Sequence, residues 1–276
     1  MVSQEQRRRQ LAREKFLRQQ QRRTEARRKA RVRNSVIASV LGVVVIGSVA
    51  LYTTGALKSD DKKANAAADT TPSATPTSKA PDPCAKPAAG SVKKLSWKKE
   101  PAMAIDTSAN YTMKLATTCG DIDIALKTAA APHTVNSFDF LAGQGYFDHT
   151  KCHRLTTDGI FVLQCGDPQG TGMGGPGYTL PDENLKDKSL KGNTYPAGTV
   201  AMANTGQKHT GGSQFFLVYK NSPLPPSYTP FGTVSADGMK VLQKIAAAGA
   251  QAADPTSGNT APNATVVINK ATVTKS

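Results

Sequence analysis

From Ser35 to Leu57 the chain carries no charged side chain, and the thirty-four residues before this run hold thirteen Lys or Arg against three Glu. A helix of that length, rising ~1.5 Å per residue, spans the ~30 Å hydrocarbon core of a bilayer. A cleaved signal peptide has a shorter apolar region that ends in a small-residue site. Here the Ala64-Asn65-Ala66 triplet lies beyond Lys58, Asp60, Asp61, Lys62 and Lys63. The run therefore predicts an uncleaved single-pass anchor. Since Lys and Arg stay on the cytoplasmic side, residues 1–34 are expected in the cytoplasm and everything after Leu57 outside the membrane.

The same tail accounts for most of the formal net charge of +15. The basic balance is thus a property of the tail, where it serves topology and contact with an anionic lipid surface, and no nucleic-acid partner is expected. Lys58 to about Gly90 is rich in Ala, Thr, Ser, Pro, Lys and Asp and has almost no large apolar residue, so it cannot offset the entropy of ordering. The expected layout is a basic cytoplasmic tail (1–34), a transmembrane anchor (35–57), a flexible linker (58–100) and one folded domain (101–276).

That domain reads as mainly β. Short alternating runs are separated by Gly, Pro, Asn and Asp. Tyr111 to Thr117 and Asp121 to Leu126 flank Cys119-Gly120 as an opening hairpin. Thr134 is placed as the N-cap of a helix with Val135, Phe138 and Leu141 on one face. Lys151 to Leu155 and Ile160 to Cys165 bracket Asp158-Gly159, a two-residue turn signal. Thr199 to Ala203 and Ser213 to Tyr219 follow as buried strands, then a helix from Met239 to Ala248 and a closing strand from Ala264 to Val273.

Pairing outward from the Asp158-Gly159 turn sets Leu155 opposite Val162, Arg154 opposite Leu163 and Cys152 opposite Cys165. Directly opposed strand positions have a spacing that a disulfide accepts. Cys152–Cys165 is therefore expected, with Cys84–Cys119 by subtraction. All four cysteines follow the anchor, on the side where disulfides persist. No Cys-x-x-Cys occurs, and although His149 and His153 stand at a His-x-x-x-His spacing, neither His133 nor His209 nor a cysteine pair completes a ligand set beside them, so no metal site is expected.

Gly-x-Ser-x-Gly, His-Glu-x-x-His and the phosphate-loop pattern are absent. Gly170 to Gly175 matches a dinucleotide-binding pattern, but Pro176-Gly177 forbids the helix that must follow it. Other stretches are more telling: His153-Arg154-Leu155, Phe161 to Pro168, Gly174 to Tyr178, Met202-Ala203-Asn204, and Gly212-Ser213-Gln214-Phe215-Phe216. In this order, over Tyr111 to Val273, they resemble the cyclophilin family of peptidyl-prolyl isomerases.

The resemblance implies an eight-stranded antiparallel barrel capped by two helices, here preceded by a single transmembrane helix. It assigns catalysis to Arg154, with Gln164 holding the arginine and Phe216 walling the proline pocket. Phe161, Val162, Leu224 and Tyr228 complete the pocket, Gln214 contacts substrate backbone, and Ala203 and Asn204 line the groove and bind the peptide through the main chain. No cofactor is implied. The expected role is an extracytoplasmic foldase that rotates X-Pro bonds in exported or surface proteins, with proline-containing extended polypeptides as partners. A catalytically weak module that only holds such segments at the membrane is the alternative.

Two departures from the family pattern bear on the site. The segment from Arg154 to Gln164 is two residues longer than in common members, and strict alternation from its turn would put those two side chains on opposite faces. Pro223 and Tyr228 stand where many members have a cyclosporin-binding Trp and a His. Of the adjacent pair Phe215 and Phe216, one is expected to fill the barrel and the other the groove.

Overall fold

In the computed structural model the described residues are 81–254 and 258–276. The basic tail, the anchor run and residues 58–80 of the linker lie outside them. Among the described residues no helix is long and apolar enough to cross a membrane.

The chain enters the sheet through the expected hairpin. Strands β1 (Tyr111–Thr117) and β2 (Gly120–Leu126) pair in unbroken antiparallel register from Tyr111 opposite Leu126 to Thr117 opposite Gly120. Helix α1 (Pro132–Gly143) comes next. It starts two residues before the expected Thr134 cap, because Pro132 with its preset φ takes the first turn. Thr134 is therefore not the cap but one of the capped residues: the Glu183 carboxylate accepts from the N–H groups of His133 and Thr134 and from the Thr134 hydroxyl. A carboxylate from a distant loop thus covers the positive end of the helix. Val135, Phe138 and Leu141 are fully buried, as their spacing predicts.

Four short strands build the region that matters for function: β3 (Thr150–Lys151), β4 (Arg154–Leu155), β5 (Val162–Cys165) and, further on, β8 (Phe215–Val218). Between β5 and β8 lie β6 (Thr194–Tyr195) and β7 (Thr199–Met202), and after them β9 (Ser222–Pro223) and β10 (Pro230–Val234). Helix α2 (Ala236–Ala247) begins at Ser235, whose hydroxyl caps it by accepting from the Gly238 N–H at 3.1 Å. Strand β11 (Val267–Lys275) closes the chain.

Nine of these strands form one curled sheet in the order β3-β11-β1-β2-β10-β7-β8-β5-β4, and β6 pairs with β9 separately. The expected count was eight. The difference arises because the anticipated strand from Lys151 to Leu155 is interrupted at Cys152-His153. Cys152 N donates to Val266 O, whereas Leu155 N donates to Thr260 O. Two residues therefore join the two outermost strands of the sheet, and chain continuity brings its edges together. Strand β10 was not foreseen, since Pro230 and Gly232 argue against a central strand. Pro230 takes the first position, and Gly232 is needed because a methyl there would come within 2.6 Å of Ile124 Cγ2.

Phe138, Phe147, Phe215 and Phe231 meet at the centre of the main core, with the Phe138 and Phe231 ring centroids 4.6 Å apart. Both expected disulfides are formed, Cys84–Cys119 and Cys152–Cys165.

Composition assigns residues up to 100 to a linker, but residues 81–100 lie along the domain. Cys84 is tied to Cys119, Ala85 N donates to Thr118 O, and Ala88 N to the Asn269 side chain. Trp97 packs edge-on to Phe140 at 5.1 Å. The Cys84 disulfide, together with Leu95 and Trp97 packed against the main core, holds down a segment that has few large apolar residues.

Candidate active site

The expected two-residue turn at Asp158-Gly159 would align Arg154 with Leu163. The observed register is one residue different: Arg154 stands opposite Gln164 and Leu155 opposite Leu163. The cause lies at Phe161. Its N–H donates to Ser222 Oγ and its carbonyl accepts from Tyr219 N, so its backbone is committed to the neighbouring strand and cannot close a tight turn. The pairing instead ends with Thr156 N donating to Val162 O, and residues 157–161 form a five-residue loop with Gly159 at φ 68°. This shift puts Arg154 and Gln164 on one face, which the strict two-residue turn forbade.

From that face a directed chain of hydrogen bonds runs along the site. Arg154 Nη1 donates to Gln164 Oε1 at 3.3 Å, Gln164 Nε2 to Gln214 Oε1 at 2.9 Å, and Gln214 Nε2 to the Gly174 carbonyl at 2.9 Å. Each amide is oriented by the next, and the terminal backbone carbonyl, which only accepts, fixes the direction of all three. Arg154 is half-buried and, among the described residues, forms no ion pair. Burial draws its pKa down from the ordinary value, with a smaller opposing contribution from Tyr228. An arginine remains a cation under such a shift, so the site holds an uncompensated positive charge with spare donors.

Beside it is a pocket of about 130 Å³ lined by Arg154, Ile160, Val162, Gln164, Ala203, Asn204, Phe216, Leu224 and Tyr228. Phe216 lies in a small apolar cluster with Val162, Tyr195, Ala201 and Val218, separate from the main core that contains Phe215. The adjacent phenylalanines thus face opposite ways, as strand alternation requires. The Phe216 and Tyr228 rings meet edge to face at 5.5 Å.

Phe161 is not brought into the pocket. Its ring packs on Tyr219 at 5.9 Å, with Lys220 Nζ 4.5 Å above it. Neighbouring residues of an extended segment point to opposite sides, so Phe161 and Val162 cannot both wall the groove, and Ile160 takes the place expected for Phe161. The Ala203 N–H is committed to Gln214 O, and the Asn204 side chain donates to Ser227 O, bracing the loop that carries Tyr228.

Tyr195 is a site residue that the sequence reading missed. Fully buried, it donates from its hydroxyl to Tyr228 O at 2.7 Å and accepts from Tyr228 N at 3.1 Å, so it fixes the residue that walls the pocket. Burial pushes its pKa up to about 12. A tyrosine on a two-residue strand carries no periodic signal that would have marked it.

A second cavity of about 560 Å³ adjoins the pocket and shares Gln164, Ala203 and Asn204 with it. Gly172 to Thr179 form one wall and Gly212 to Gln214 another. The glycine wall is shaped by Asp167, a fully buried carboxylate that accepts from the N–H groups of Gln169, Thr171 and Gly172. Burial opposes its charge, but these bonds prevail and hold its pKa below the usual range.

The family model for cyclophilin type peptidyl-prolyl cis-trans isomerase matches residues 112–273. The chain belongs to the cyclophilin family. Among relatives of this cyclophilin, a probable peptidyl-prolyl cis-trans isomerase B of Mycobacterium leprae is 50% identical over 149 residues, which are 51% of this chain and 50% of that protein. The chain thus spans about half the length of the mycobacterial relatives it matches. Peptidyl-prolyl cis-trans isomerase B of Bacillus subtilis is 44% identical over 116 residues, covering 42% of this chain and 76% of the relative. A Cryptosporidium parvum cyclophilin crystal structure overlays 60% of this chain and 99% of its own with a TM-score of 0.48 and 27% identity.

Proposed function

We propose that this cyclophilin is a peptidyl-prolyl cis-trans isomerase tethered by Ser35 to Leu57, its domain outside the membrane, acting on proline-containing segments of exported or surface proteins. The observation that carries the catalytic part is Arg154: a half-buried guanidinium without a carboxylate partner among the described residues, held by Gln164 at a proline-sized pocket whose other side is walled by Val162, Phe216, Leu224 and Tyr228.

Rotation about an X-Pro bond breaks no covalent bond. The obstacle is amide resonance, a barrier of ~18–20 kcal/mol. A donor aimed at the prolyl nitrogen stabilises its pyramidal form, withdraws the lone pair from the carbonyl and loosens the bond. The ring needs a fixed apolar seat while the acyl part turns, and Val162, Phe216, Leu224 and Tyr228 supply one. The guanidinium is positioned before substrate arrives, so little reorganisation is needed in the transition state.

The location rests on the charge-free run and the basic residues before it. Two disulfides in one domain accord with an oxidising compartment. The purified chain is expected to accelerate cis-to-trans exchange in a proline peptide. Fusion of a reporter enzyme to the C-terminus is expected to be active only outside the cytoplasmic membrane; cytoplasmic reporter activity would overturn the topology.

A further inference from the structure

The segment just before the family-matched residues reaches the site from behind. Trp97 N donates to Pro176 O at 2.8 Å, at the end of the glycine loop that walls the larger cavity. Gly177 is seated against this strap so closely that a methyl there would lie 2.6 Å from Trp97 O and would also strike Ser96 Oγ. The Trp97 ring packs on Phe140 at 5.1 Å and Tyr146 at 6.0 Å. The Tyr146 hydroxyl in turn bonds Ser213 Oγ, which donates to Gly166 O.

Trp97 therefore touches both walls of the cavity, the glycine loop directly and the Gly212 to Gln214 wall through Tyr146. Neither Ser96 nor Trp97 lines the cavity itself. The loop they brace carries the Gly174 carbonyl that ends the hydrogen-bond chain from Arg154.

We infer that Trp97 is a positioning residue for peptide binding: the strap preceding the family domain holds the glycine loop in register with Gln214, so that the groove wall is braced from behind by residues the family match does not include. This rests on the groove being the peptide site proposed above. It does not rest on catalysis. Arg154 and Gln164 keep their own cross-strand pairing without the strap, so loss of Trp97 acts on affinity more than on turnover.

The test uses the full chain in detergent micelles and a proline-containing tetrapeptide, titrated by NMR. Trp97→Ala keeps the main-chain bond to Pro176 but removes the ring that anchors the strap on Phe140 and Tyr146, and Gly177→Ala crowds the strap at a position with φ 90°. Both are expected to weaken peptide binding about fivefold, the scale of one hydrogen bond between groove and peptide, and to shift the Gln214 side-chain amide signal, while Trp97→Phe stays within about twofold. A purely structural role would lower thermal stability but leave the affinity and the Gln214 signal of the folded protein unchanged. That outcome in Trp97→Ala, or in Gly177→Ala if the first does not fold, would overturn the inference. The affinity readout stands whether or not the wild type catalyses exchange; a wild type that binds no proline peptide would overturn both readings, whereas one that binds without catalysing exchange would leave this inference intact.

Discussion

Arg154 and Gln164 face each other directly across β4 and β5, and the guanidinium donates to the amide oxygen at 3.3 Å. This pair links the sheet to the chemistry. Gln164 also passes a hydrogen bond to Gln214, so its amide cannot flip without losing two contacts and presenting an N–H to a cation. The arrangement turns a flexible arginine into an oriented one.

Gln164→Leu removes the acceptor while keeping the side-chain bulk. With the guanidinium free to swing, kcat/KM for a proline peptide is expected to fall about tenfold, because misplacement of a catalytic group by an ångström costs at least that much. The drop should appear mainly in kcat. Stopped-flow kinetics or NMR exchange rates check it, and an unchanged kcat would remove Gln164 from the account.

The Cys152–Cys165 disulfide joins the point where the chain passes from one sheet edge to the other to the strand that bears Gln164. It closes a loop with a sequence separation of 13. Removing a cross-link over a loop of that size costs about 3 kcal/mol through the freedom given to the unfolded chain. Paired Cys152→Ser and Cys165→Ser substitutions are expected to lower stability by about that amount in denaturant titration. Peptide mapping without reductant should recover both disulfides from the wild type.

His153, 6% exposed, has no hydrogen-bond partner on either ring nitrogen among the described residues. Burial lowers its pKa, Asp167 pulls the other way, and the Arg154 charge adds to the lowering. The folded state therefore binds this proton less readily than the unfolded chain. Below the unfolded value, near pH 6.5, the unfolded state holds more protons, so stability falls as pH drops, by up to about 1.4 kcal/mol per unit for one such group. The loss ends once pH is below the folded pKa. Thermal denaturation from pH 7.5 to 5.5 is expected to show a steeper decline for the wild type than for His153→Gln. Equal slopes would refute the assignment.

What the sequence made legible was the part governed by local pattern. The β1–β2 hairpin, the apolar face Val135-Phe138-Leu141 and the opposite facing of Phe215 and Phe216 follow from period and turn chemistry alone. The two disulfides do not: both form, but Cys84–Cys119 is expected only by subtraction, and Cys152–Cys165 from a turn register that the structure shifts by one residue. Phe161 misses the pocket because adjacent extended residues point to opposite sides, whereas the register shift comes from the capture of the Phe161 backbone by Ser222 and Tyr219, some sixty residues away. Tyr195, Ser222 and the Trp97 strap were not legible for the same reason: each acts through a partner distant in sequence, which no local spacing reveals.

The account depends most on Arg154 acting as the donor that loosens the amide. NMR exchange spectroscopy on one sample of the chain with a proline-containing tetrapeptide measures binding and cis–trans exchange together. The wild type is expected to bind and to accelerate exchange, and Arg154→Ala to bind with similar affinity while losing the exchange rate by a factor on the order of 100. Peptide binding by the wild type without accelerated exchange, or an Arg154→Ala chain that still accelerates it, would contradict the account.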